Sequence, residues 1–210
     1  ISIDWLREKG ISKAAKKADR IAAEGVAAIL VDGNDAVILE MNSETDFVAK
    51  NEKFQTLVKT ILEVIIKSDV NTLEEALELP CDEGTINDLI VSRTATIGEK
   101  LSLRRFEKVT KADNETFGEY IHMGGKIAVL IVTEGTSEEV ATDVAMHAAA
   151  MRPTYVRSDD VPAEEVEKEK SVLKEQAINE GKPQEIAEKM VQGRVKKFFK
   201  EICLEEQPRS

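Results

Sequence analysis

Apolar positions follow two rhythms along this chain. Residues 26–32 and 36–42 are short runs rich in Val, Ile and Leu, separated by Asp32-Gly33-Asn34-Asp35. Turn residues that tolerate positive φ between two such runs predict a β-hairpin. The rhythm then switches to steps of three and four at Phe54, Leu57, Val58, Ile61, Leu62 and Ile65. Those steps mark an amphipathic helix, with Thr45 or Asp46 as its N-cap. Thr72-Leu73-Glu74-Glu75 has the spacing of a capping box and opens a short helix that ends before Pro80. A further helix is predicted over 85–99 and an alternating strand over 101–109. Residues 117–122 and 126–133 flank Gly124-Gly125 as a second hairpin, and Thr136-Ser137-Glu138-Glu139 caps a helix that Pro153 stops.

Ala36-Val37-Ile38-Leu39 and Ala128-Val129-Leu130-Ile131 each follow a Gly-containing turn and precede a capped helix. A strand–turn–strand–helix unit used twice explains the likeness. The predicted class is α+β, with two small subdomains that each lay helices on an antiparallel sheet. Before them, residues 3–9 read as a helix stopped by Gly10. Ser12 then caps a short basic helix over 13–23 that Gly25 ends. After Pro162, Val166, Leu173 and Ala177 keep helical spacing as far as Glu180-Gly181-Lys182-Pro183. Ile186, Met190, Val191, Val195, Phe198, Phe199 and Ile202 continue it, so a protruding antiparallel helical hairpin is expected. The partition is therefore 1–25 as an N-terminal remnant and linker helix, 26–110 and 111–160 as core subdomains, and 161–205 as the hairpin.

Charge narrows the function. With 29 Lys+Arg against 40 Asp+Glu the net charge is −11, which argues against the basic footprint of sequence-independent nucleic-acid binding. No apolar run approaches the roughly 20 residues of a membrane span. Cys81 and Cys203, far apart, make no disulfide framework, and a reduced, cytoplasmic setting is the default. The chain carries no phosphate-binding glycine motif and no nucleophile elbow. Its two histidines, His122 and His147, do not fall at metal-ligand spacings with the cysteines. No cofactor or metal is expected, and binding is favoured over catalysis.

The most unusual spot is Thr45-Asp46-Phe47, where a strand turns into a helix beside an acidic cap. An aromatic ring at such a corner can anchor an interface. Phe47 also precedes Phe54 by seven residues, and on that spacing it belongs to the buried stripe or acts as a hydrophobic staple. His122 reads as a hairpin residue satisfied locally, and Ile97-Gly98 as a helix C-terminus with its stop.

Thr45-Asp46-Phe47-Val48-Ala49-Lys50-Asn51, following Leu39-Glu40-Met41-Asn42, resembles the signature of the bacterial elongation factor Ts family. Trp5-Leu6-Arg7-Glu8-Lys9-Gly10, Ile97-Gly98-Glu99, the stretch 122–129, Ala145-Met146-His147-Ala148-Ala149 and Gly181-Lys182-Pro183 agree with it in order. The resemblance implies a guanine-nucleotide exchange factor for elongation factor Tu with no reaction of its own. It assigns Asp46 and Phe47 to the contact with that GTPase, the ring wedging near its Mg²⁺ and phosphate site, and adds Ile97, Gly98 and His122 as further contacts. Met123 departs from the family's His-Gly-Gly form. Only the last helix of the family's N-terminal module is expected here, and the ending at Arg209-Ser210 lacks the family's C-terminal segment. The alternative is an interaction scaffold without exchange activity, binding or forming a homodimer through Val191, Phe198 and Phe199 of the hairpin.

Overall fold

The computed structural model describes residues 2–208, so the closing Arg209-Ser210 lie outside the described residues. The fold is α+β. Its elements divide into two compact units, one through Ala145 and one from Met146 onward.

The first unit is built on β1 (Glu24–Asp32) and β2 (Asp35–Ser43), the antiparallel hairpin that the Gly33-Asn34 turn predicts. β5 (Ser102–Thr110) pairs antiparallel with the other side of β2, giving the order β1-β2-β5 with a bulge at Glu40/Met41. α3 (Glu52–Ile66) lies across this sheet and buries Phe54, Leu57, Val58, Ile61, Leu62, Ile65 and Ile66. They meet Val37, Leu39 and Met41 from β2 and Leu103 from β5 in one core. Each such side chain contributes about 1.5–3 kcal/mol when taken fully out of water, so this face fixes the sheet's register.

Two short elements complete the core. α4 (Leu73–Leu77) starts at the expected Thr72 cap, whose side chain accepts from the Glu75 N–H. α5 (Ile86–Ile97) opens with a full capping box between Thr85 and Asp88. Between them β3 (Pro80–Cys81) and β4 (Gly84–Thr85) form a two-residue ribbon, too short to leave a periodic signal. The second hairpin, β6 (Glu115–His122) with β7 (Ile127–Glu134), stands as a separate two-stranded sheet. α6 (Glu138–Met151) follows it, with Ser137 accepting from the Val140 N–H.

The N-terminal reading needs correction. Gly10 does not stop a helix: α1 (Ser2–Ala15) runs through it. A helical glycine costs only about 1 kcal/mol, so α1 continues through Gly10, where a Cβ would meet Ala95 Cβ of α5 only at the ordinary contact distance of 3.8 Å. The separate basic helix over 13–23 is absent. The chain turns after Ala15 and enters β1 at Glu24, so Gly25 lies inside a strand. Its φ of 144° and the 2.1 Å from a Cβ built there to Met41 O explain why glycine stands at that point.

In the second unit α7 (Ala163–Asn179) and α8 (Gln184–Ile202) form a helical hairpin. Leu173 and Ala177 on one helix and Ala187 and Val195 on the other are buried. Gly181, at φ 77°, makes the link, and the Lys182 N–H returns to Ala177 O at 3.2 Å. Val191, Phe198 and Phe199 are half-buried. The base is tied by Tyr155, whose N–H donates to Ile202 O at 2.9 Å and whose carbonyl accepts from Leu204. Buried Gln207 joins His147 at 3.0 Å and donates to Glu201 O at 2.9 Å.

Candidate functional site

The strand-to-helix corner after β2 is over-determined by hydrogen bonds. Ser43, fully buried, donates from its hydroxyl to Thr45 O at 2.8 Å. Thr45 is extended and caps a one-turn helix, α2 (Asp46–Ala49), accepting on Oγ1 from the Val48 N–H. The same hydroxyl donates to Glu99 Oε1 at 2.7 Å, while Glu99 Oε2 accepts from the Glu44 and Thr45 N–H groups at 3.1 and 3.0 Å. In return the Lys100 N–H donates to Glu44 Oε1 at 2.7 Å. That bond holds the Glu44 carboxyl below its ordinary pKa, partial burial opposing it and Arg20 adding to it. Carboxylates accepting backbone N–H groups make the stronger class of hydrogen bond, so the two loops are clamped together.

Asp46 and Phe47 stand on this clamped corner. α2 buries Ala49 and turns Phe47 outward, leaving it 82 % exposed. The reading of Phe47 as core or staple is therefore overturned. A seven-residue spacing from Phe54 keeps one face only if the helix is continuous. It is not: Asn51 is extended and caps α3 afresh, its side chain accepting from the Lys53 N–H. Thr45, not Asp46, is the cap of the first turn. Asp46 instead pairs with Lys50 at 3.5 Å across that turn.

Ile97 and Gly98 arrive beside this corner because Glu99 and Lys100, the next two residues, make the clamp. Ile97 is half-buried against the core. Gly98 is exposed at φ 91°, and its N–H closes α5 onto Thr94 O at 3.0 Å.

His122 belongs to another turn. It ends β6, exposed, with Nδ1 at 2.8 Å from the Tyr120 hydroxyl. Met123 follows at φ 50° and 75 % exposed, then Gly124 and Gly125, also at positive φ. Gly125 O accepts from the Ala27 N–H of β1 at 2.7 Å. Lys126 reaches Glu24 at 2.6 Å, which raises its pKa, and Asp46 contributes through its charge. The clamp thus joins Asp46, Phe47, Ile97 and Gly98 at one corner. His122 comes no nearer by any bond than its turn's docking on β1.

A protein-family model described as Elongation factor TS matches residues 44–209. The chain belongs to the elongation factor Ts family. Members are elongation factors of protein biosynthesis that act by nucleotide exchange on elongation factor Tu rather than by a chemical reaction. The match begins at Glu44, the first residue of the clamped corner, and takes in every candidate contact residue.

Glu44, Glu99 and Lys100 were not singled out as site residues from sequence. Glu99 appears there only as the third residue of Ile97-Gly98-Glu99, and no periodicity marks an acceptor whose donors lie 54 and 55 residues away. Met123 was visible as a departure, but its left-handed backbone was not. Among the described residues no group of three or more His, Cys, Asp and Glu is placed to hold a metal ion, and no described helix is long and apolar enough to cross a membrane.

Proposed function

We propose that this chain binds elongation factor Tu and accelerates GDP release, with Phe47 as the wedge and Asp46, Ile97, Gly98 and His122 as flanking contacts. The observation that carries the proposal is a large aromatic ring, 82 % exposed, on a corner whose backbone is fixed by the Glu99 clamp. A rigid ring loses little rotamer entropy on entering a pocket, which is why aromatic residues dominate interface energetics.

The logic is linkage. A partner that binds the nucleotide-free GTPase better than the nucleotide-bound form weakens nucleotide binding by the same factor. A ring inserted near the Mg²⁺ and phosphate site supplies such a difference, because its pocket is available only when the nucleotide's surroundings have moved. An acidic chain is no obstacle to this role, since the surface it meets is protein.

Stopped-flow release of a fluorescent GDP from elongation factor Tu, with and without the chain, tests the proposal. Release accelerated by the chain and returned toward the spontaneous rate by Phe47→Ala is the expected result. Acceleration that survives Phe47→Ala undiminished overturns the wedge, and failure to bind the GTPase overturns the function.

A further inference from the structure

The turn between β6 and β7 carries a residue that its own fold does not account for. The His122 carbonyl accepts from the Gly125 N–H at 3.2 Å and from the Lys126 N–H at 3.1 Å, so the chain reverses over residues 122–126. Its central residues, Met123 and Gly124, stand at φ 50° and 67°. Positive φ at both centres is what a type I′ turn demands, and Gly, Asn and Asp are the residues that supply it. In that conformation the Cβ of an ordinary residue crowds the following carbonyl oxygen. Packing gives Met123 nothing in return. Its side chain is 75 % exposed, and a Cβ on neighbouring Gly124 would find no atom within 4 Å. Arg152, the other described non-glycine residue at positive φ, at least carries a charge that water solvates. A lone exposed apolar side chain is ordinary, but one that also holds a strained backbone is not.

The tip is mounted at the same end of the first sheet as the Phe47 corner. Gly125 O accepts from the Ala27 N–H at 2.7 Å, and a Cβ on Gly125 would stand 3.0 Å from Ala27 O. Lys126 Nζ donates to Glu24 at 2.6 Å. Glu24 is the register partner of Ser43, whose hydroxyl holds Thr45 O. The start of β1 thus carries the Met123 turn on its outer edge and, through β2, the Phe47 corner on its inner one. Lys126 also feels the charge of Asp46. We propose that Met123 is a second apolar contact on the GTPase that Phe47 enters, an inference that rests on the exchange reading above. An unbranched thioether refits itself to a surface that changes shape, where a rigid ring does not. Met123 therefore grips the partner in either nucleotide state. Such uniform binding lowers the concentration of factor needed without changing the rate reached at saturation.

Met123→Asn separates the grip from the fold. Asparagine tolerates positive φ, so the turn is kept and Tm should stay unchanged or rise by up to roughly 3 °C. Release of a fluorescent GDP from elongation factor Tu is then titrated with the unaltered chain and with the variant. The half-saturating concentration should rise roughly tenfold with the apolar contact gone, and the maximal rate should hold. Met123→Leu, apolar and close in volume, should titrate like the unaltered chain. The inference is overturned if Met123→Asn titrates unchanged, if it lowers the maximal rate instead, or if its loss of affinity comes with a lowered Tm. It is overturned equally if Met123→Leu loses as much as Met123→Asn. Acceleration by the unaltered chain that is indifferent to Met123 removes this contact and leaves the exchange reading standing. No acceleration by the unaltered chain removes both.

Discussion

Replacing Phe47 with alanine separates binding from folding because the ring contributes so little to its own core. At 82 % exposed it leaves almost no cavity when truncated, and a surface substitution of this kind changes stability by no more than about 0.5 kcal/mol. For a chain of this length that moves Tm by no more than roughly 2 °C. Phe54, fully buried under the same sheet, is the control. Its truncation costs roughly 3–5 kcal/mol and lowers Tm by roughly 6–20 °C. For binding the order inverts. An aromatic anchor that fills a partner pocket is worth 2 kcal/mol or more, so Phe47→Ala should weaken the complex with elongation factor Tu by roughly 30-fold. Melting by circular dichroism and fluorescent GDP release, measured on both variants, give the two axes. The reasoning fails if Phe47→Ala melts like Phe54→Ala, or if it leaves GDP release as fast as with the unaltered chain.

The clamp itself is open to test. Glu99→Ala strips the acceptor from two backbone N–H groups and the Thr45 hydroxyl, costing about 1–3 kcal/mol, and acceleration of GDP release should fall with Phe47 still in place. Asp88 is held below its ordinary carboxyl pKa by the Thr85 N–H first and by Arg7 last. Its contribution is therefore complete above the usual carboxylate value of about 4 and fades as pH falls through the lowered native value. Thermal melts from neutral to acid pH should show Asp88→Asn less stable by under about 1 kcal/mol, a small gap because the group is partly exposed, and closing at the acid end. Gly118→Ala places a Cβ 2.2 Å from Ala141 O, forcing α6 away from β6. Melting should register a loss of roughly 1–3 kcal/mol.

Much of the architecture was legible where one physical signal dominated. The Gly33-Asn34 turn, the stripe from Phe54 to Ile65 and the Thr72 cap each rest on a strong local signal, and each appears as expected. The misreadings share a cause. Gly10 and Gly25 were taken as helix stops because glycine punctuates chains, yet Gly10 lies inside a helix that tolerates it and Gly25 owes its place in a strand to the close approach of Met41 O. Phe47 was assigned two incompatible roles because spacing presumes a continuous helix, and the single turn ending at Lys50 breaks it. The strand-to-helix corner raised the anchor reading, and the likeness to a family was what favoured it over the buried stripe. The clamp by Glu99 was beyond reach for a different reason: it joins segments more than 50 residues apart through a carboxylate that looks like any other.

The corner's rigidity and the proposed exchange depend on one another. A wedge shifts its partner's equilibrium only by the difference in its affinity for two states of that partner. If the ring's own mount yields, both states are accommodated equally well and that difference shrinks. α2 has four residues, far too few to hold a fixed direction unaided. The direction is supplied instead by buried Ser43, by the Thr45 cap, and by Glu99 and Lys100 at the end of α5. Ile97 and Gly98 immediately precede that pair, so the residues proposed as flanking contacts sit on the loop that stiffens the wedge. Bringing contact and brace onto one loop lets a partner pressing on Gly98 load the same hydrogen bonds that aim Phe47.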